Sequence, residues 1–170
     1  DVITPLDETM AKKVVLALKD QEVESIAVCF LHAYVNPIHE KLMAKIANDV
    51  FPDAKISISS DIAREWREFE RTNTTALNAY AQPRMENYLS QLDKQLNNNG
   101  YQGALTIMKS SGGITTSDVA QKKPIMTIQS GPAGGVIGAQ RLADILKIKH
   151  MVVADVGGTT FDVSLIYDGR

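Results

Sequence analysis

Val152-Val153-Ala154-Asp155-Val156-Gly157-Gly158-Thr159-Thr160-Phe161-Asp162-Val163-Ser164-Leu165-Ile166 is the stretch on which the fold turns. An apolar run ends in a carboxylate, a Gly-Gly-Thr-Thr bend follows, and an alternating run returns. That pattern predicts a strand over 151–155, a tight turn, and a strand over 161–167. Glycines at 157 and 158 let backbone N–H groups converge on an anion with no Cβ in the way. Thr159 and Thr160 add hydroxyl donors. Asp155, at the strand end, is placed to hold Mg²⁺ through water, since a carboxylate beside a phosphate needs a metal ion or organised water between them. The competing reading is a plain hairpin whose glycines only make the turn. The Asp before the glycines, the two Thr after them and Asp162 in the return strand weigh against it. The stretch is neither a Walker loop, because no Gly-Lys-Ser/Thr follows, nor a dinucleotide fingerprint, because a strand rather than a helix comes next.

Working outward, residues 132–146 read as a helix whose first half is very small, with Gly131 just before it and Gly134, Gly135 and Gly138 along it. Residues 104–108 read as a short buried strand, Ser110-Ser111-Gly112-Gly113 as a loop, 116–121 as a short helix and 125–128 as a strand. Residues 61–97 are helical in period and rich in charge at their start. Leu77, Tyr80, Tyr88, Leu89, Leu92 and Leu96 make an apolar stripe there, and Pro83 is expected to kink or interrupt the helix. The N-terminal part reads as a helix over 4–18 capped by Thr4, a strand over 25–32, an Asn36-capped helix carrying Leu42, Ile46 and Val50, and a strand over 55–59. Helix-strand-helix-strand at this spacing means an α/β layer with a parallel sheet. The expected organisation is an α/β segment over 1–60, a helical connector over 61–100, and an α/β segment over 101–170 ending in the hairpin.

Composition narrows the function classes. The 170 residues carry 18 Lys+Arg against 20 Asp+Glu, a net charge of −2, with 44% hydrophobic and 22% charged residues. These are globular values, and a pI near 5.9 argues against a nucleic-acid surface or a polybasic membrane patch. The longest apolar runs are far below the roughly 20 residues needed to span a bilayer. No secretory signal is visible at the start, and a lone cysteine, Cys29, suits the cytoplasm. The opening without Met and the closing turn signal suggest an internal fragment.

The hairpin resembles the second phosphate motif of the actin, sugar-kinase and heat-shock ATPase superfamily. Ser130-Gly131-Pro132-Ala133-Gly134-Gly135-Val136-Ile137-Gly138-Ala139, the 108–113 loop, 68–80 and Cys29-Phe30-Leu31-His32-Ala33-Tyr34-Val35-Asn36-Pro37 together resemble the hydantoinase A/oxoprolinase family, in its N-methylhydantoinase or acetone-carboxylase subunit type. The resemblance implies ribonuclease H-like elements around a nucleotide cleft. It also implies ATP and Mg²⁺ (or another divalent ion), a small-molecule substrate, and a second enzyme subunit. The implied chemistry is activation of a cyclic amide for ring-opening hydrolysis. The alternatives are an ATP-dependent ketone carboxylase subunit and a non-catalytic actin-like ATPase or chaperone-type module. Asp155 would then contact the metal or its water, and Gly157, Gly158, Thr159 and Thr160 would hold phosphate oxygens. Asp162 would orient the turn by bonding its backbone, or simply be a satisfied β-bulge Asp. The family's other phosphate motif is absent here, so the chain would hold one jaw of a clamp and bind ATP weakly or not at all by itself.

Other candidates are a substrate-side cluster at Glu70, Arg71 and Asn73, and cleft residues Ser110, Ser111, Ser130, Gly131, Gly134 and Gly135. For the first, the plainer reading is charge pairing in a solvated helix start. For the α-helical glycines it is close helix packing, and for the serines it is loop geometry. His32, His39 and His150 lack the Cys or Asp that would complete a zinc set. Cys29 reads as a small buried thiol.

Overall fold

A computed structural model describes residues 2–169. They divide into two compact units, Asp1–Gln95 with Gln121–Ile125, and Leu96–Ala120 with Met126–Arg170.

In the first unit, helix α1 (Glu8–Asp20) begins later than Thr4 because Asp7 is the cap. Its carboxylate accepts the N–H of Thr9 at 2.9 Å and of Met10 at 3.0 Å. Strand β1 (Ser25–Val28) pairs in parallel with β2 (Lys55–Ile58), from Ser25↔Lys55 to Val28↔Ile58. Helix α2 (Ile38–Val50) is the crossover that a parallel pair requires. The strand expected over 25–32 stops at Val28, since the chain turns through His32 at a φ of 58°. Ala11 and Val15 of α1, Met43, Ile46 and Ala47 of α2, and Ile26, Val28 and Ile58 of the strands form the core.

A short helix α3 (Ser59–Ile62) leads to α4 (Glu68–Asn98), which runs unbroken through Pro83. Of the connector expected over 61–100, residues 61–95 fall within this first unit. The expected apolar stripe is not the buried face. Leu77, Tyr80 and Tyr88 are more than half exposed, and of that stripe only Leu89 is fully buried. The buried positions are Arg71, Thr75, Asn78, Ala79 and Gln82, a mostly polar face at helical spacing. They are tolerated because they find polar partners: Ser57 of β2 for Asn78 and Gln82, the Phe30 and Glu65 carbonyls and Glu68 for Arg71, and the Arg71 carbonyl for Thr75.

In the second unit, β3 (Thr106–Met108) and β4 (Ile114–Thr116) form an antiparallel hairpin. Gly112 and Gly113 turn it at φ of +86° and +72°, which side-chain-bearing residues rarely adopt. Helix α5 (Ser117–Lys122) follows and ends in the Gln121–Ile125 segment that belongs to the first unit. The strand expected over 125–128 is instead part of a 3₁₀ turn, Pro124–Thr127. The Met126 carbonyl accepts both the N–H (2.7 Å) and the hydroxyl (3.0 Å) of Ser110 and so serves no ladder. Helix α6 (Ser130–Leu146) follows Gln129, a residue in the left-handed region. Strands β5 (Met151–Val156) and β6 (Phe161–Ile166) pair antiparallel from Met151↔Ile166 to Val156↔Phe161. One face of this ribbon carries Met151, Val153, Asp155, Asp162, Ser164 and Ile166, with Ile166 buried. The other face, Val152, Ala154, Val156, Phe161, Val163 and Leu165, is exposed.

The architecture is mixed α/β. No described helix is long and apolar enough to cross a membrane.

Candidate phosphate-binding hairpin and adjoining cavity

The β5–β6 ribbon sets two carboxylates against each other. Asp155 and Asp162 are direct cross-strand partners, both exposed, one pair below the bend. Like charges placed opposite each other destabilise a ribbon, and a cation between them relieves that. The bend closes with the Gly157 N–H donating to the Thr160 carbonyl at 2.9 Å. Gly157, Gly158, Thr159 and Thr160 are all exposed.

Neither glycine needs a positive φ here. A Cβ at Gly158 would meet nothing within 4 Å, and one at Gly157 only Thr160, at 3.5 Å. The chain's own conformation and packing therefore do not demand glycine. What the missing side chains do is leave the backbone of the bend bare on its outer side, which suits a phosphate. Among the described residues no group of three or more His, Cys, Asp or Glu gathers as a metal cage. The Asp155/Asp162 pair fits the way Mg²⁺ is held, through one or two carboxylates with phosphate oxygens and water completing the shell.

Beside the ribbon lies a cavity of about 400 Å³. Ser110, Ser111 and Gly112 of the β3–β4 turn line one side of it. Gln129, Pro132, Ala133, Val136 and Ile137 at the start of α6 line another, and Ser164 of β6 completes the wall. Ser130, Gly131, Gly134 and Gly135 are not among its lining residues. At Gly134 a Cβ would stand 3.6 Å from the Met108 side chain, which fits the close-packing reading. Gly131, Gly135 and Gly138 have nothing within 4 Å.

The second predicted cluster comes apart. Glu70 and Asn73 are exposed, and Glu70 pairs loosely with Arg67 at 3.7 Å. Arg71, expected in a solvated helix start, is 1% exposed. Its guanidinium donates to the carbonyls of Phe30 (2.7 Å) and Glu65 (3.1 Å), pairs with Glu68, and stacks 5.4 Å from the Tyr34 ring. Glu68 in turn accepts the His32 N–H at 3.3 Å.

Sequence reasoning missed the centre of this network. Glu40, fully buried in α2, accepts the Phe30 N–H (2.8 Å), the Ser59 hydroxyl (2.6 Å) and the Ser60 N–H (2.8 Å). It thereby ties together the C-terminal ends of β1 and β2. Asn78 donates to Ser57 (3.0 Å) and the Lys122 carbonyl (3.1 Å) and accepts the Ile125 N–H (3.2 Å), while Ser57 donates to Gln82 (3.0 Å). A signal existed: Glu40 shares a helical face with Met43 and Ala47, so a carboxylate stands on an apolar stripe. Cys29 is half-buried. That burial raises its thiol pKa, against the opposing hydrogen bonds with Thr75 and Thr72.

The hydantoinase/oxoprolinase family model matches residues 71–170, and the model of that family's N-terminal region matches residues 1–51. The uncharacterised protein MJ0964 of Methanocaldococcus jannaschii is 38% identical over 98% of the chain. The acetophenone carboxylase gamma subunit of Aromatoleum aromaticum is 33% identical over 98%. The nucleotide-free structure of an acetone carboxylase with ATP-dependent activity superposes with a TM-score of 0.88 at 32% identity, covering 99% of this chain and 24% of that one. The ATP-dependent caprolactamase of Pseudomonas jessenii superposes at 0.86 and 28%, covering 97% and 24%. The chain spans about a quarter of the length of these curated relatives, 24% and 23%. A match over more than half its length, at the segment that carries the Asp155 hairpin, shows that the chain belongs to the hydantoinase/oxoprolinase family.

Proposed function

We propose that this chain is part of an ATP-dependent enzyme that activates a cyclic amide for ring-opening hydrolysis, and that the Asp155 hairpin grips the nucleotide's phosphates. The observation that carries the reading is the bare bend: two exposed glycines with room for an added atom, two threonine hydroxyls, and two opposed carboxylates beneath them. Family membership and the ATP-dependent activities of two solved relatives support it. In this reading the backbone N–H groups of the bend and the Thr159 and Thr160 hydroxyls donate to phosphate oxygens. Asp155 holds Mg²⁺ through water, and Asp162 sets the turn and shares the cation's charge. Bound ATP would supply a phosphoryl group that turns an inert amide oxygen into a leaving group. The chain's residues contribute position and charge neutralisation. The hairpin would be one element of a ribonuclease H-like half, in a cytoplasmic enzyme with a second subunit, as the subunit names of relatives suggest.

A second reading, ATP-dependent carboxylation of a ketone, is favoured by the acetone carboxylase superposition. Phosphate release by the full-length parent separates the two. Stimulation by a lactam or hydantoin without bicarbonate supports hydrolysis, whereas a joint requirement for ketone and bicarbonate supports carboxylation. ATP turnover indifferent to both substrate classes would sink each.

A further inference from the structure

Helix α4 turns its polar side inward and its aromatic side outward. Phe69, Asn73, Leu77, Tyr80, Arg84 and Tyr88 follow one another at spacings of four, four, three, four and four, so they share one stripe about 100° wide. The buried positions Arg71, Thr75, Asn78, Gln82 and Leu89 lie on the opposite side. Phe69, Leu77, Tyr80 and Tyr88 are 75%, 53%, 68% and 61% exposed. We propose that, in the full-length parent, this stripe is covered by an amphipathic helix from the part of the same polypeptide outside residues 1–170. The assignment goes beyond the ATP-dependent reading of the hairpin and does not depend on it.

Pattern is the first argument. A scattered exposed apolar residue needs no explanation, but a stripe at helical spacing on a helix already held by its other side does. Tyr, Phe and Arg are the side chains enriched where protein surfaces meet. Arg84 lies 5.8 Å from the centre of the Tyr80 ring, which joins the two into one amphipathic spot. From Phe69 to Tyr88 the stripe runs about 28 Å at the helical rise. A second helix with apolar residues at the same spacing meets it along that whole length, ridge into groove.

Size is the second argument, and it selects a tethered occupant over a free one. An aromatic side chain buries about 150–250 Å² when fully covered, so three rings at these exposures together with Leu77 offer on the order of 400–500 Å². A free-standing interface takes about 800 Å² from each partner. A helix carried on the same polypeptide acts at an effective concentration on the order of millimolar, where a smaller patch holds. The supply of chain is ample. Residues 1–170 cover 24% and 23% of the relatives' lengths, which leaves about three quarters of a protein of that size to provide the covering helix.

The test is hydroxyl-radical footprinting of the full-length parent, read by mass spectrometry at Phe69, Tyr80 and Tyr88. The reference is the same residues in the urea-unfolded parent. A bare stripe, more than half exposed at each ring, reacts at more than half the unfolded rate. We expect at least fivefold protection in the parent by itself, unchanged by hundredfold dilution. Weaker protection would overturn the assignment. Protection that appears only when a second subunit is added would overturn it in favour of that subunit, and protection lost on dilution would overturn it in favour of a second copy. Tyr80→Glu sets a charge in the covered stripe and should raise the labelling of Phe69 and Tyr88 severalfold. Unchanged labelling in a folded variant also counts against the assignment, and if the variant does not fold, the measurement on the unaltered parent decides.

Discussion

Glu40 offers a stability experiment whose size can be worked out from contacts. Its carboxylate is inaccessible to solvent and accepts three hydrogen bonds, two on Oε1 from Phe30 and Ser59 and one on Oε2 from Ser60. Glu40→Gln keeps the shape. Its carbonyl oxygen can retain the two bonds on one side, but its amide NH₂ then faces the Ser60 N–H, donor against donor. One bond to a charged group is lost and one buried donor is stranded, which amounts to about 2 kcal/mol. Glu40→Ala strands all three donors and leaves a void, so the loss rises to about 4–5 kcal/mol. Against a typical total of about 5–15 kcal/mol, the alanine variant should lose roughly a third of the stability or more. Urea titration followed by the fluorescence of Trp66, the single tryptophan, reads this unit. The slope with urea should stay constant and the midpoint should fall in the order wild type, Gln, Ala. A Gln variant within about 0.5 kcal/mol of wild type, the size of an ordinary surface change, would refute the claim that this carboxylate holds the strand ends together.

Three further outcomes are expected. Gly158→Val should leave stability of this chain within about 0.5 kcal/mol, because a Cβ there meets open space. In the full-length parent it should reduce ATP turnover by at least about tenfold, on the order of 1.4 kcal/mol of transition-state stabilisation. Asp155→Asn should likewise suppress ATP turnover in the parent while leaving the far-ultraviolet circular dichroism unchanged, since the residue is exposed. Retained turnover in either variant would remove the hairpin from the mechanism. Finally, burial raises the Cys29 pKa, so the folded thiol stays protonated at neutral pH and should react with a maleimide more slowly than a cysteine peptide. The unfolded thiol ionises first as pH rises. Its contribution to stability is therefore complete below the ordinary thiol pKa and declines above it. Reaction at the peptide's rate would contradict the burial.

Much of the chain was legible because its rules are local. The parallel β1–α2–β2 unit follows from apolar runs of strand length around an amphipathic helix. The β5–β6 hairpin follows from alternation on either side of Gly157-Gly158, and both form, although β1 stops at Val28 and α2 starts after Pro37 rather than on an Asn36 cap. Boundaries were less legible. Thr4 and Asp7 are both acceptable caps by type, and only the placement of the N–H groups of Thr9 and Met10 makes Asp7 the one used. The 3₁₀ turn at Pro124–Thr127 has the composition of a short strand, and what it lacks is a partner.

The amino-acid sequence by itself determined most of the elements and the hairpin with its carboxylates and bare bend, because each depends on residues within a few positions of one another, and the order of several such local motifs pointed to the family. Tertiary structure decided which face of α4 is buried. It separated Arg71 from Glu70 and Asn73, seated Glu40 between two strand ends, and brought Ser110, Gln129 and Ser164 around one cavity. A periodicity count assumes that the buried stripe is the apolar one. That assumption fails wherever distant polar groups arrive to satisfy each other, and which groups arrive is a property of the packed chain rather than of any window along it.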